Sequence, residues 1–136
     1  MGVPDFVILN DGWNADPNVP HERVEIDGAS VRLTFAADTF RFQRLNRSRH
    51  SLLFENVSRW LIHDLNDEGW YRDQCRYGRT APDWGLFYEI VGEDKDALGA
   101  FEWNVILPGR PEQRHFLFYL RDSTFECFAD DWTLET

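Results

Sequence analysis

The sequence predicts an α+β domain that is mainly antiparallel β: one sheet with a C-terminal four-strand meander and one short helix packed on it. Three observations predict this. Arg114–Ala129 reads as two strands on either side of Asp122-Ser123, with apolar side chains on both faces. Ala100–Leu107 alternates strictly and places Phe101, Trp103, Val105 and Leu107 on one face of a strand. The chain is also rich in rings, with 11 Phe, 6 Trp and 4 Tyr, and aromatic side chains suit pleated, half-buried surfaces.

The elements follow in chain order. Phe6–Leu9 is a short apolar run and reads as a buried strand. Asn10–Pro20 is a loop, rich in Asn, Asp, Gly and Pro and interrupted by Trp13. Glu22–Asp27 and Ser30–Ala36 form a hairpin about Asp27-Gly28, since a tight turn between strands needs positive φ. That loop sets Ile26 opposite Ala29 and Val24 opposite Val31, and Leu33 and Phe35 extend the same apolar face. Arg23, Glu25, Arg32 and Thr34 take the other face. Phe40 and Phe42 alternate with polar neighbours, and Leu52–Phe54 pairs into the sheet.

Ser58 is a helix-capping residue. Val57, Trp60, Leu61 and Leu65 follow at helical spacing, and Gly69 ends the helix; a strand through Ile62 is the alternative. Asn66–Gly85 has neither period, and a stretch of that length without structure marks either function or a hidden element. Leu86–Val91 is a strand, Gly92–Gly99 an acidic turn or a single helical turn, and Pro108–Pro111 a second turn. Phe116–Leu120 and Thr124–Ala129 complete the meander. A two-residue loop at Asp122-Ser123 pairs Leu120 with Phe125, Phe118 with Cys127, and Phe116 with Ala129. Leu117, Tyr119, Glu126 and Phe128 lie on the opposite face, which is too apolar for water. The helix, the long loop or a partner chain is expected to cover it.

At 136 residues the chain is expected to be a single domain, residues 1–136. It is long enough to bury a core without disulfides or metal. The net charge is −10, with −3 over residues 1–20, +2 over 21–60 and −9 over 61–136. Such a charge repels nucleic acid and anionic membrane and attracts a basic partner. No apolar run is long enough to cross a bilayer as a helix, and the first residues lack a secretory signal. Cys75 and Cys127 form no Cys-x-x-Cys unit and read as two reduced thiols of a cytoplasmic protein, with a disulfide left open.

Motifs for chemistry are scarce. His21, His50, His63 and His115 do not fall at the spacing of a helical zinc site. There is no Gly-x-Ser-x-Gly elbow and no glycine-rich phosphate loop. The Asx-rich run Asn10–Asn18 departs from the EF-hand spacing. No catalytic residue, metal or cofactor is assigned. Arg41, Arg44, Arg47 and Arg49 with His50 make the one basic stretch, interleaved with Phe40 and Phe42. The acidic total argues for a strand edge whose arginines pair with the surplus acids.

Two candidate sites remain. Trp70, Tyr71, Arg72, Tyr77, Arg79 and Trp84 in the long loop are residue types enriched where proteins bind, and they suit a small ligand or carbohydrate. Glu126, Asp130, Asp131 and Glu135, with Trp132 among them, suit docking onto a basic protein: charge speeds encounter and the ring supplies burial. The expected function is that of a small acidic cytoplasmic binding protein that neutralises or regulates a basic partner. In charge and size the chain resembles toxin-immunity proteins, without a shared motif. A ligand-binding domain and an enzyme of unrecognised type are the alternatives, and a homodimer through the covered sheet face is a further state.

Overall fold

The structure, a computed structural model, describes residues 5–10, 12–16, 21–38, 49–63, 86–91, 103–109, 112–120 and 123–135. Among the described residues there are ten strands and no helix. They are β1 (Asp5–Ile8), β2 (Arg23–Asp27), β3 (Ser30–Ala36), β4 (Arg49–Glu55), β5 (Arg59–His63), β6 (Phe87–Val91), β7 (Asn104–Val105), β8 (Arg114–Tyr119), β9 (Thr124–Ala129) and β10 (Asp131–Glu135). A six-stranded sheet runs β1-β6-β8-β9-β5-β7 and a four-stranded sheet runs β10-β4-β3-β2. All pairings are antiparallel.

Alternation explains the four-stranded sheet. Val31, Leu33 and Phe35 of β3 are fully buried, as are Leu52 and Phe54 of β4, while their neighbours face outward. These side chains meet Phe87, Phe116, Phe118, Phe125 and Cys127 of the six-stranded sheet in one core. Phe54 sits at its centre, with ring centroids 5.3 Å from Phe116 and 5.5 Å from Phe125. Trp13 closes one side: it stacks on Phe35 at 5.7 Å, and its segment is tied to β3 by a bridge between Ala15 and Ala37. Asn10, buried beneath it, accepts a hydrogen bond from the Phe87 N–H and donates one to the Trp13 carbonyl. The Asx-rich loop therefore fastens β1, β3 and β6 together.

The chain changes sheet between β1 and β2 and then twice at one corner, between β4 and β5 and between β9 and β10. Asn56 turns there with φ of 54°, a left-handed value Asn tolerates better than most residues. Its side chain donates to Asp130 Oδ2 at 3.0 Å, and the Asp130 N–H donates to the Glu55 carbonyl at 2.9 Å. Gln113 Nε2 spans both connections, donating to the Asn56 carbonyl at 2.7 Å and to Asp130 Oδ1 at 3.3 Å.

Several expectations are corrected. Of the helix expected from Ser58 to Gly69, Arg59–His63 is strand β5, the alternative that runs through Ile62, paired with β9 from Arg59↔Phe128 to His63↔Thr124; residues 64–69 lie outside the described residues. Both faces of that sheet are buried along β9, so a central strand carries apolar residues on both sides. Over a few residues, Trp60 and Leu61 then mimic helical spacing. The single sheet is two sheets, because the apolar faces of β3 and β4 close onto β6, β8 and β9 instead of continuing them. The four-strand meander is interrupted as well: β6 pairs directly with β8, and β7 lies at the far edge on β5. Among the described residues of the alternating run, only Asn104-Val105 is strand, and Val105 is 73 % exposed. Phe6–Leu9 does yield a strand, but Val7 and Ile8 are exposed on it.

Both predicted hairpin registers are out by two residues. Ile26 faces Val31 around a Gly28-Ala29 loop, with φ of +61° at Gly28. Phe118 faces Phe125 across residues 120–123, where the Leu120 N–H donates to the Ser123 carbonyl. A slip of two keeps every side chain on its own face, so the predicted apolar faces stand.

Candidate functional site

The outer face of the four-stranded sheet is polar and weighted toward acid. Its register places Arg23, Glu25 and Asp27 of β2 beside Thr34, Arg32 and Ser30 of β3, and Arg32, Thr34 and Ala36 of β3 beside Leu53, Ser51 and Arg49 of β4, with Glu55 beyond Leu53. Asp131, Thr133 and Glu135 of β10 complete the face. Glu25, Asp27, Glu55, Asp131 and Glu135 thus oppose Arg23, Arg32 and Arg49, leaving an excess of two carboxylates. Local pairs organise it. Arg32 donates from Nε to Glu135 Oε1 at 2.7 Å, and Arg23 Nη2 donates to Glu25 Oε1 at 2.7 Å. The Arg32 hydrogen bond, more than its charge, holds the Glu135 carboxyl below its ordinary range. Asp27 and Glu55 are exposed.

Arg114 joins this face to the core. Its guanidinium donates twice to Glu89, at 2.7 and 3.0 Å, and once to Asp131 at 2.9 Å, while lying 5.0 Å from the centre of the Phe116 ring. The hydrogen bond to Glu89 pushes Arg114 further up from its ordinary value.

The second face of the six-stranded sheet holds the most chemically loaded pair among the described residues. His115 Nε2 lies 2.8 Å from Glu126 Oε1, and both side chains are buried. His115 also stacks on Phe128, with centroids 4.3 Å apart and planes inclined by 19°. The Arg59 guanidinium lies over the same ring, 5.4 Å from its centroid. Tyr88, Ile90, Leu117 and Tyr119 form a second apolar cluster on the same face. Along β8 and β9 the face is buried within a single chain, where its composition predicted a cover of some kind, a partner chain included. Cys127 lies on the core face instead, where burial first, and the neighbouring Glu126 carboxylate second, push its thiol well above the ordinary value. A thiol so held stays protonated and is a poor nucleophile.

The five residues expected to dock a basic partner fall in four places. Asp131 and Glu135 share the outer face of the four-stranded sheet. Trp132 turns to the core and meets Phe87 edge-on at 5.1 Å. Asp130 belongs to the corner between sheets. Glu126 is fully buried with His115 on the second face of the six-stranded sheet. Trp70, Tyr71, Arg72, Tyr77, Arg79 and Trp84 lie outside the described residues, as do Cys75, Arg41, Arg44 and Arg47. Of the basic stretch, Arg49 is exposed and donates to the His21 carbonyl at 3.1 Å, while His50 is buried edge-on to Phe35.

Sequence reasoning missed the His115–Glu126 pair, although its signal was present. Alternation along Arg114–Ala129 puts His115, Leu117, Glu126 and Phe128 on one face. A buried polar residue between apolar neighbours asks for a partner on that face. Among the described residues, no group of three or more His, Cys, Asp or Glu side chains is placed to hold a metal ion. No helix among them is long and apolar enough to cross a membrane. No protein-family model matches the chain, and the comparisons with curated proteins and with solved structures give no match either.

Proposed function

We propose that this protein is a binding module that engages a basic protein through the outer face of its four-stranded sheet, neutralising or regulating it. The observation that carries this reading is the gathering of Glu25, Asp27, Glu55, Asp131 and Glu135 on one broad polar face with three arginines among them. The net charge of −10 on the whole chain adds a long-range attraction for a cationic partner. The arginines give the face a pattern as well as a sign, and charge pattern across an interface selects among partners and sets encounter rate. Asp131 and Glu135 carry over from the predicted docking set; Trp132 contributes by anchoring β10 to the core.

The test compares the wild-type chain with a variant neutralised at Asp27→Asn, Glu55→Gln and Asp131→Asn. Each is used to capture proteins from lysate at low and at about 0.5 M salt, where exposed charges are screened within a few ångströms. The expected result is a stoichiometric basic protein held by the wild type, released by salt and held much less by the variant. Equal retention by both chains, or retention unmoved by salt, would refute the reading.

A further inference from the structure

β2 is an open edge. It is the terminal strand of its sheet, with β3 on one side. The ladder between them closes a two-residue loop at Asp27↔Ser30. The pair that closes such a loop exchanges both backbone hydrogen bonds, and bonded and non-bonded pairs alternate from there. Arg23, Glu25 and Asp27 therefore turn their backbone groups to β3. Val24 and Ile26 present their N–H and C=O groups outward, where no strand lies among the described residues. Ile26 is 53 % exposed although it stands opposite the fully buried Val31, so it overhangs the end of the core.

Edges of this kind pair with other strands unless a charge pointing along them or a proline intervenes. On β2 the charges all lie on the outer face, and their order is self-complementary: Arg23 at one end, Asp27 at the other. We infer that β2 pairs antiparallel with β2 of a second copy of this chain, about a two-fold axis normal to the sheet through Glu25. This register sets Val24 opposite the partner's Ile26, and these residues have the outward backbone groups the bonded pairs need. It also sets Arg23 opposite the partner's Asp27, twice by symmetry. An isologous contact repeats every favourable pair in this way. Each exposed Ile26 gains an apolar neighbour, and the two four-stranded sheets become one of eight. At the axis Glu25 meets the partner's Glu25, a like pair flanked by the two Arg23 guanidinia, each already 2.7 Å from its own Glu25. This pairing stands independently of any basic partner, since it needs only the β2 edge.

Sedimentation equilibrium of the full chain, from low micromolar to near-millimolar concentration, tests it. The wild type should rise from 16.1 kDa toward twice that mass. Asp27→Arg and Arg23→Asp alone each place like charges opposite one another at two symmetric sites, and each should weaken association about tenfold or more. The double variant Arg23→Asp with Asp27→Arg exchanges the charges and should restore it. All four chains should melt cooperatively, since both positions are exposed. A wild type that stays monomeric throughout would overturn the inference. So would a dimer indifferent to the single changes, or single changes that the double variant fails to rescue.

Discussion

Glu135 shows how one hydrogen bond sets the behaviour of an exposed carboxylate. Its carboxyl is lowered chiefly by the hydrogen bond donated by Arg32, against an opposing effect of burial, with that guanidinium's charge a lesser contribution. A carboxyl lowered in the folded state contributes stability that is present above its unfolded value, near pH 4.3. That contribution is lost as pH falls through the lower folded value. Glu135→Gln should therefore remove a small, acid-sensitive part of the stability. Urea midpoints for wild type and variant should differ at pH 7 and converge near pH 3. A difference that is constant across this range would show that the ion pair is not its source. The effect is small because both partners are well exposed and the pair is screened by solvent. His115 and Glu126 are the opposite case. Their side chains are buried together, so geometry, not screening, governs them, and neither is available to a partner approaching from solvent.

Strands and turns are where local chemistry decides most. Gly28 is the first residue of the β2–β3 loop, with φ of +61°, and a Cβ added there would meet nothing within 4 Å. Gly28→Ala should accordingly cost only the backbone penalty of the left-handed region, about 1–2 kcal/mol, read as a lower urea midpoint with unchanged slope. A loss several times larger would mean that the loop carries tertiary contacts. β5 teaches the complementary lesson. Its five residues sit between β9 and β7 in a sheet buried on both faces at its centre, so neither period nor capping pattern separates it from a helical turn. The registers of both hairpins moved by two residues from expectation because turn choice is decided by one or two φ angles. The faces did not move, because parity is insensitive to that shift.

For the whole molecule, stability rests on the core that joins the sheets. Phe54 touches Phe87, Phe116 and Phe125, with centroids 6.0, 5.3 and 5.5 Å away. Phe54→Ala should cost about 3–5 kcal/mol, the usual penalty for removing a buried ring from a packed core, measured by equilibrium denaturation. A cost below 1 kcal/mol would mean that the sheets do not depend on one another. Asn56, Gln113 and Asp130 act at the same scale, satisfying polar groups where the chain crosses between layers. From its own residues the chain determined the alternation of β3, β8 and β9, the apolar faces of both hairpins, the burial of the second face along Leu117 and Phe128, and the acidic balance. Each is a local property, carried by side chains that alternate with period two and by charges that simply add. Only the tertiary structure decided that there are two sheets, that β6 neighbours β8 while β7 sits on β5, that residues 59–63 are strand, and that Glu126 belongs with His115 and not with Asp131. Those outcomes depend on which apolar faces, far apart in the chain, exclude water against each other, and burial between distant segments leaves no period in the sequence of either one.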